Sequence, residues 1–424
     1  MAQKRHPKNI KGAVMKLKLF PKVNTYAGFP VGDPESNGGK GPQRGIAIII
    51  TLFMITLMTL FMADMQVNAV VESELAIANR DNLKAEYIAK SGANLANFLI
   101  SIDLAIDLTM SEMQGAAASV TDGPGDMWGQ LNGFPIGGDT AELLGQLQEG
   151  FDLSKVNDSK VLDTFKLFEG HFVINVVDES ARMNINYCAI RSTEPKCKAA
   201  LKLLMNCPAE REFLERKKVK PGEIVGAIGD WIDNNNDPDP ESSGGSESDP
   251  YSRREPKVTV KNSFFESLDE LRVVEGWDAD MHKIFSPYLT VFPMPLEESR
   301  DNKARSGFLV NFNSASRELL SCLFPKAVTE CNEKSAIYSQ YRADQEVAKD
   351  STSINNALRE NFCAEDDMTK IFTFRSDTYR VTVTGESGVQ VKTLEYVLSR
   401  QKPDDQDQKN QYKSAIKYLY WKML

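Results

Sequence analysis

The sequence predicts an α+β protein: a long N-terminal membrane-spanning helix packed on an antiparallel sheet, with a large α-helical segment inserted into that sheet. Three observations lead there. An apolar run flows without a break into an amphipathic pattern over residues 46 to about 113. Two stretches rich in β-branched and aromatic residues lie far apart, at 165–178 and 371–399. Helix-patterned sequence fills residues 180–370 between them.

The apolar run extends from Ile46 to Ala63 and carries no charge until Asp64. At about 1.5 Å per residue it spans roughly 27 Å as a helix, enough for a bilayer core. Nine Lys/Arg residues precede it against only Asp33 and Glu35, an imbalance that holds residues 1–44 in the cytoplasm and sends the rest across. A secretory signal peptide would have a shorter apolar core and a small-residue cleavage site, which Val67-Asn68-Ala69 imitates. Against that reading, no Pro or Gly interrupts the chain from Asp64 until Gly92. Val67, Val71, Leu75, Ala78, Asn82, Ala85, Ala89, Gly92, Leu95, Leu99 and Ile102 recur at helical spacing and form one face. Ala78, Ala85, Ala89 and Gly92 are small enough for a second helix to approach closely.

Residues 114–150 hold nine glycines among few large apolar residues and are expected to be a loop. Phe165–Asp178 reads as two strands turning at Glu169-Gly170. Ile371–Gly385 and Val389–Ser399 read as a second pair. Strict alternation from Tyr379 implies one buried and one wet face. The segment 401–424 is charged, then aromatic, and no element is assigned to it.

The leader's net charge of +7, subtracted from the whole-chain −9, leaves the remainder near −16. Nucleic acid is therefore excluded as a partner of the exported part. The six cysteines fall into two sequence clusters, Cys188, Cys197 and Cys207, then Cys322, Cys331 and Cys363. If all six pair, at least one bridge joins the clusters. Only His171 and His282 follow the membrane segment, which leaves little for acid–base catalysis or a zinc site. Residues 266–283, with Leu268, Leu271 and Gly276, suggest a helix–hairpin–helix, but six acids against two basic residues there repel phosphate. A helical packing unit is the better reading.

The run from Asp230 to Asp249 is the candidate for chemistry. Asp233, Asn235, Asp237 and Asp239 alternate, with Asp230 one helical turn earlier and Glu241, Glu247 and Asp249 following. Oxygen ligands at such intervals suit Ca²⁺, although Pro238 stands where an EF-hand has Gly. From the residues alone, a solvated acidic loop is the favoured reading.

The basic leader, Gly45 flush against the apolar helix, and the amphipathic continuation resemble the type IV pilin superfamily. In most of its members the fifth residue after the cleavage point is Glu; here it is Ile50. That absence resembles one subtype, the type II secretion system minor pseudopilin of the protein K (GspK-like) kind. Val177–Asn186, Asp230–Asp233, Ser267–Gly276 and Val310–Ser316 resemble further stretches of that family.

The resemblance implies a prepilin leader over 1–45, cut between Gly45 and Ile46 by a prepilin peptidase. It implies a transmembrane helix over 46–63, a periplasmic helix over 64–113, and first pilin-like strands within 114–179. An inserted SAM-like domain over 180–370 and C-terminal strands over 371–400 would follow. It also implies Ca²⁺ on Asp233, Asn235, Asp237 and Asp239, with Asp249 as a further ligand. The expected role is a non-enzymatic subunit at the pseudopilus tip. It would sit in the inner membrane with its bulk in the periplasm, meeting other minor pseudopilins and the inner-membrane secretion platform. A neighbour's Glu below could neutralise its N-terminal amine, whereas Ile50 offers nothing to a subunit above. The alternatives are a minor type IV pilin of an adhesion or motility system and a membrane-anchored calcium-dependent extracytoplasmic enzyme.

Overall fold

The computed structural model describes residues 44–114, 122–130, 132–137, 169–242, 245–252, 254–295, 308–324, 371–400 and 416–424. The chain divides into two compact units, Met1–Val71 and Glu72–Leu424. Helix α1, Arg44–Gln114, begins in the first and continues into the second.

In the first unit every residue from Ile46 to Val71 is exposed, and the most apolar 18-residue window has a mean hydropathy of 2.6. The helix is long and apolar enough to cross a membrane. Its hydroxyls are satisfied internally: Thr51 donates to the Ile48 carbonyl at 2.9 Å, and Thr56 and Thr59 to Phe53 and Thr56 at 2.8 Å. Such back-bonding leaves no side-chain hydroxyl unpaired in an apolar surrounding.

In the second unit α1 lies on one face of a five-stranded sheet. The strands are β1 (Pro135–Gly137), preceded by the one-turn helix α2 (Met127–Gln130), then β2 (His171–Asp178), β7 (Thr378–Ser387), β8 (Gln390–Arg400) and β9 (Ile416–Met423), in that order across the sheet. All neighbouring pairs are antiparallel. Ile88, Ala89, Ala93, Ala96 and Ile100 pack against Phe172, Ile174, Val176, Tyr379, Val381, Val383, Leu394, Tyr396 and Leu398. The alternation seen in the sequence from Tyr379 is this core face.

The small residues of α1 serve the sheet. A Cβ on Gly92 would fall 2.6 Å from Val383 Cγ1, and one on Gly385 would fall 2.4 Å from the Ala85 carbonyl oxygen. Ala85, Ala89 and Gly92 are thus covered from within, which corrects their expected use for a second helix; Ala78 alone of the four is only half-buried. Past Gly92 the buried face also turns by one residue. Ala96, Ile100 and Asp103 are buried, while Leu95, Leu99 and Ile102 are half-buried.

Two expectations about the strands are corrected. His171–Asp178 pairs on one side with Pro135–Gly137, inside the segment expected to be loop; residues 165–168 lie outside the described residues. The C-terminal segment, to which no element was assigned, supplies β9, a strand that shows no alternation of buried and exposed positions. Tyr418 and Trp421 pack on Tyr396 beside α1, and Tyr420 faces Phe292 at 6.2 Å between ring centroids.

Strands β2 and β7 are paired although about 200 residues separate them in the chain. Between them lie β3 (Met183–Asn184), α3 (Glu194–Met205), α4 (Pro208–Lys217), α5 (Pro221–Ile232), α6 (Asp249–Ser252), α7 (Ala279–Phe285), β4 (Leu289–Thr290), β5 (Val310–Asn311), α8 (Arg317–Leu323) and β6 (Phe372–Thr373). These elements share a second core, which includes Leu201, Ile228, Phe265, Met281, Phe285 and Leu319. Leu271, Val274, Trp277, Met281 and Phe285 all point into it, so the 268–285 stretch packs as a structural unit. Cys207–Cys322 bridges the two cysteine clusters and Cys188–Cys197 closes a short loop; Cys331 and Cys363 lie outside the described residues.

The helical elements meet the sheet through Glu179, which is fully buried. Its carboxylate accepts from Arg380 Nε, Thr290 Oγ1 and Arg182 Nη1, and Arg380 also reaches Glu395.

The helix–sheet approach generates a direct test. Gly385→Ala should cost about 1–3 kcal/mol, because backbone faces the added methyl and overpacking has no soft neighbour to displace. Denaturant unfolding of the full chain in detergent measures this; an unchanged midpoint would show that the approach is not tight.

Candidate metal centre

Helix α5 begins at Pro221, whose missing N–H is harmless in a first turn, and ends at Asp233, whose extended backbone turns the chain outward. The returning loop folds closely over the helix because Gly226 is bare. A Cβ there would fall 2.8 Å from the Ser242 nitrogen.

Carboxylates and one amide shape the loop by capping its own backbone. Asp233 Oδ1 accepts from the Asn235 N–H at 3.3 Å, Asn235 Oδ1 from Asp237 at 2.6 Å, and Asp239 Oδ1 from Glu241 at 2.9 Å. Asp230 Oδ1 accepts from the Asp239 N–H at 2.6 Å, tying the end of the helix to the returning strand of the loop. From outside, Asn262 Nδ2 donates to the Asn235 carbonyl at 2.8 Å.

Three carboxylates converge beneath this loop. Asp230, Asp233 and Glu247 each present an oxygen, and these atoms lie within 4.8 Å of one another. Glu247 is 4 % exposed, and neither of its oxygens has a hydrogen-bond partner. Burial, then the charges of Asp233, Asp230 and Asp237, push its carboxyl up to about 7. Burial also raises Asp233 to about 6 and raises Asp230. A buried carboxylate without a donor, next to two others, lacks a counter-charge. An all-oxygen donor set with unfilled lone pairs suits a hard divalent cation.

The predicted ligands separate. Asp233 belongs to the trio. Asn235 and Asp237 lie exposed on the loop above it, and Asp249 is exposed at the start of α6. Asp239 turns to Lys198, whose Nζ lies 2.6 Å from its Oδ2 and 2.7 Å from Glu194. Asp230 and Glu247 were visible in the acidic run but not singled out as ligands. The three-residue step from Asp230 to Asp233 on a helix end was the available signal. Nothing local in Gly245-Ser-Glu-Ser marks Glu247, because its burial comes from the fold. At the other predicted position, Gly45 and Ile46 lie in the first turn of α1, and Ile46 is exposed.

The region holding this trio is also where the chain matches known proteins. Residues 181–294 match the family "Type II secretion system (T2SS), protein K". Type II secretion system protein K of Klebsiella pneumoniae is 23% identical over 295 residues, covering 68% of this chain and 72% of that protein. That of Pectobacterium carotovorum subsp. carotovorum is 23% identical over 307 residues, covering 71% and 76%. Over about two thirds of its length the chain is similar to type II secretion system protein K.

The fold agrees. A chain in the crystal structure of the GspK-GspI-GspJ complex from the enterotoxigenic Escherichia coli type 2 secretion system superposes with a TM-score of 0.51 at 15% identity. The match covers 82% of this chain and 99% of that one.

Glu247→Gln removes a buried charge that has no donor. With divalent cations chelated at pH 8, this variant should be more stable than the parent by on the order of 1 kcal/mol. An equal or lower unfolding midpoint would mean that Glu247 has a counter-charge after all.

Proposed function

We propose that this chain is a non-enzymatic tip subunit of the pseudopilus in a type II secretion machine. A prepilin peptidase would cut between Gly45 and Ile46, leaving Ile46–Ala63 as a single-pass anchor in the inner membrane and the bulk in the periplasm. There it would associate with other minor pseudopilins and with the inner-membrane platform. The observation that carries this reading is α1 itself. One unbroken helix is apolar from Ile46 to Ala63, bare from Ile46 to Ile77, and roofed by the sheet from Ala85 onward. An anchor that is also part of the folded core cannot leave the membrane without carrying the domain's own framework.

The helical elements between β2 and β7 act in this reading as a SAM-like inserted domain. It would widen the subunit to one side and obstruct a further subunit above, while Ile50 removes the carboxylate that such a subunit would need. Full-length protein co-expressed with other minor pseudopilins and extracted in detergent tests the role. Stoichiometric co-purification is expected. Self-polymers formed without partners, or recovery of the chain alone, would contradict it.

Calcium is the second part of the proposal. Asp230, Asp233 and Glu247 would hold the ion, with Asn235 and Asp237 close by on the loop. Ca²⁺ would supply the missing counter-charge and tie α5 to the segment that leads into α6. Binding to the folded form alone stabilises it by about 2.7 kcal/mol at a hundredfold excess over Kd. Thermal unfolding of the full chain should therefore shift upward with Ca²⁺ over chelator, and Asp233→Ala/Glu247→Ala should abolish the shift. Equal midpoints in the parent would reject the site.

A further inference from the structure

A second buried cluster, remote in sequence from the trio, surrounds Arg400 at the end of β8. Its guanidinium is 3 % exposed and receives acids from separate elements. Asp103 of α1 lies 2.7 Å from Nη1 and Asp107 lies 3.4 Å from Nη2, which also meets Asp122. Oxygens of Asp103, Asp107 and Asp122 approach within 4.8 Å of one another. Asp126 stands behind them, its Oδ2 accepting from the Gly123 N–H at 2.6 Å.

Just before β7 comes Asp377, whose carbonyl accepts from the Arg400 N–H at 2.8 Å, and within it Tyr379, whose ring lies 5.3 Å from the guanidinium carbon. Asp178 of β2 completes the surround through Ser376, whose carbonyl accepts from Arg400 Nε at 2.8 Å. The second cation in the neighbourhood is Arg375, which acts on Asp377.

Carboxylates therefore outnumber the guanidinium around a buried centre, with Asp103 and Asp122 inside and Asp107 and Asp126 at its half-buried rim. Arg400 alone cannot offset the repulsion among Asp103, Asp107, Asp122 and Asp126 when all are ionised, while the exposed Asp377 has Arg375 to act on it. The energetically accessible alternative is that the cluster keeps protons.

We propose that this cluster is a proton-operated clasp: protonated, it fastens the last turns of α1 and the 122–130 segment to the sheet, and it slackens as the surroundings become alkaline. The groups that titrate are those at its rim. Burial first, then Asp122 and Asp103, push Asp107 up to about 7. Burial raises Asp126 to about 6, with Asp103 and Asp122 adding to it. An acid whose folded value lies above its unfolded one binds its proton more tightly when folded. Its contribution is complete below the ordinary carboxylate range and is lost as pH rises through about 6 to 7. Asp178, raised by burial to about 6, acts in the same direction through Ser376. The clasp depends on neither the tip role nor the calcium trio.

Hydrogen exchange of the full-length protein in detergent tests it, with an Asp230→Asn/Asp233→Asn/Glu247→Gln background throughout so that the trio does not add its own titration. After correction for intrinsic exchange, protection of amides 100–107 and 123–130 should fall roughly tenfold between pH 6 and pH 8, the loss for one proton per pH unit. Protection in α5 and α7 should stay level. Asp107→Asn/Asp126→Asn should keep the protection at pH 8. A flat profile in the parent, or the same fall in the double variant, overturns the clasp. So does a fall that millimolar Mg²⁺ or Ca²⁺ abolishes, since the cluster would then be a cation site. Should the double variant fail to fold, the parent profile decides alone.

Discussion

Contact between α1 and strands β2, β7 and β8 sets the position of everything else in the unit Glu72–Leu424. The helix comes so close that a single added methyl on Gly92 or Gly385 would collide with Val383 or with the helix backbone. Close approach brings Ile88, Ala93, Ala96 and Ile100 onto the aromatic and β-branched face of the sheet with little void. It also lets Tyr396 donate its hydroxyl to the Ala93 carbonyl at 3.1 Å, so the polar end of a fully buried ring is satisfied. With one face so covered, the sheet has the other free for Arg380, Glu179 and the Phe292–Tyr420 contact.

Polar groups, not further apolar surface, join the elements at their edges. Glu179 and Arg400 are both buried and each gathers partners from several segments. The two differ in balance. Around Glu179 one carboxylate meets Arg182 and Arg380, and the hydroxyl of Thr290 fills a remaining lone pair. Such satisfied networks fix geometry more than they add stability. At Arg400 and in the Asp230–Asp233–Glu247 trio the acids are in excess, and there the fold needs a proton or an ion. Structural rigidity and sensitivity to the surroundings are thus assigned to different polar nodes.

What the sequence revealed was mostly what periodicity carries. The apolar run, the helical spacing through Gly92 and the alternation from Tyr379 are local patterns, and each became the element expected. The acidic run between Asp230 and Asp249 was equally visible. What the sequence concealed depends on contacts between distant segments. The three residues of β1 are too few to show alternation, and β9 carries lysines on an edge strand, where they suit solvent. Ala85 and Ala89 were legible as a small-residue stripe, but no local pattern says whether a helix or a sheet lies against it. Glu247 is buried only because the loop after α5 folds back over it. Lys198, two helices earlier in the chain, decides that Asp239 faces outward from the trio.

The tip-subunit role requires α1 to be one helix that matures at its apolar start and remains in the chain. The intact mass of the protein recovered from membranes of cells that contain a prepilin peptidase tests that directly. A chain beginning at Ile46 is the expected result. A mature chain that keeps residues 1–45 in the presence of the peptidase, or one that begins near Val70 after cleavage beyond the apolar run, would contradict it.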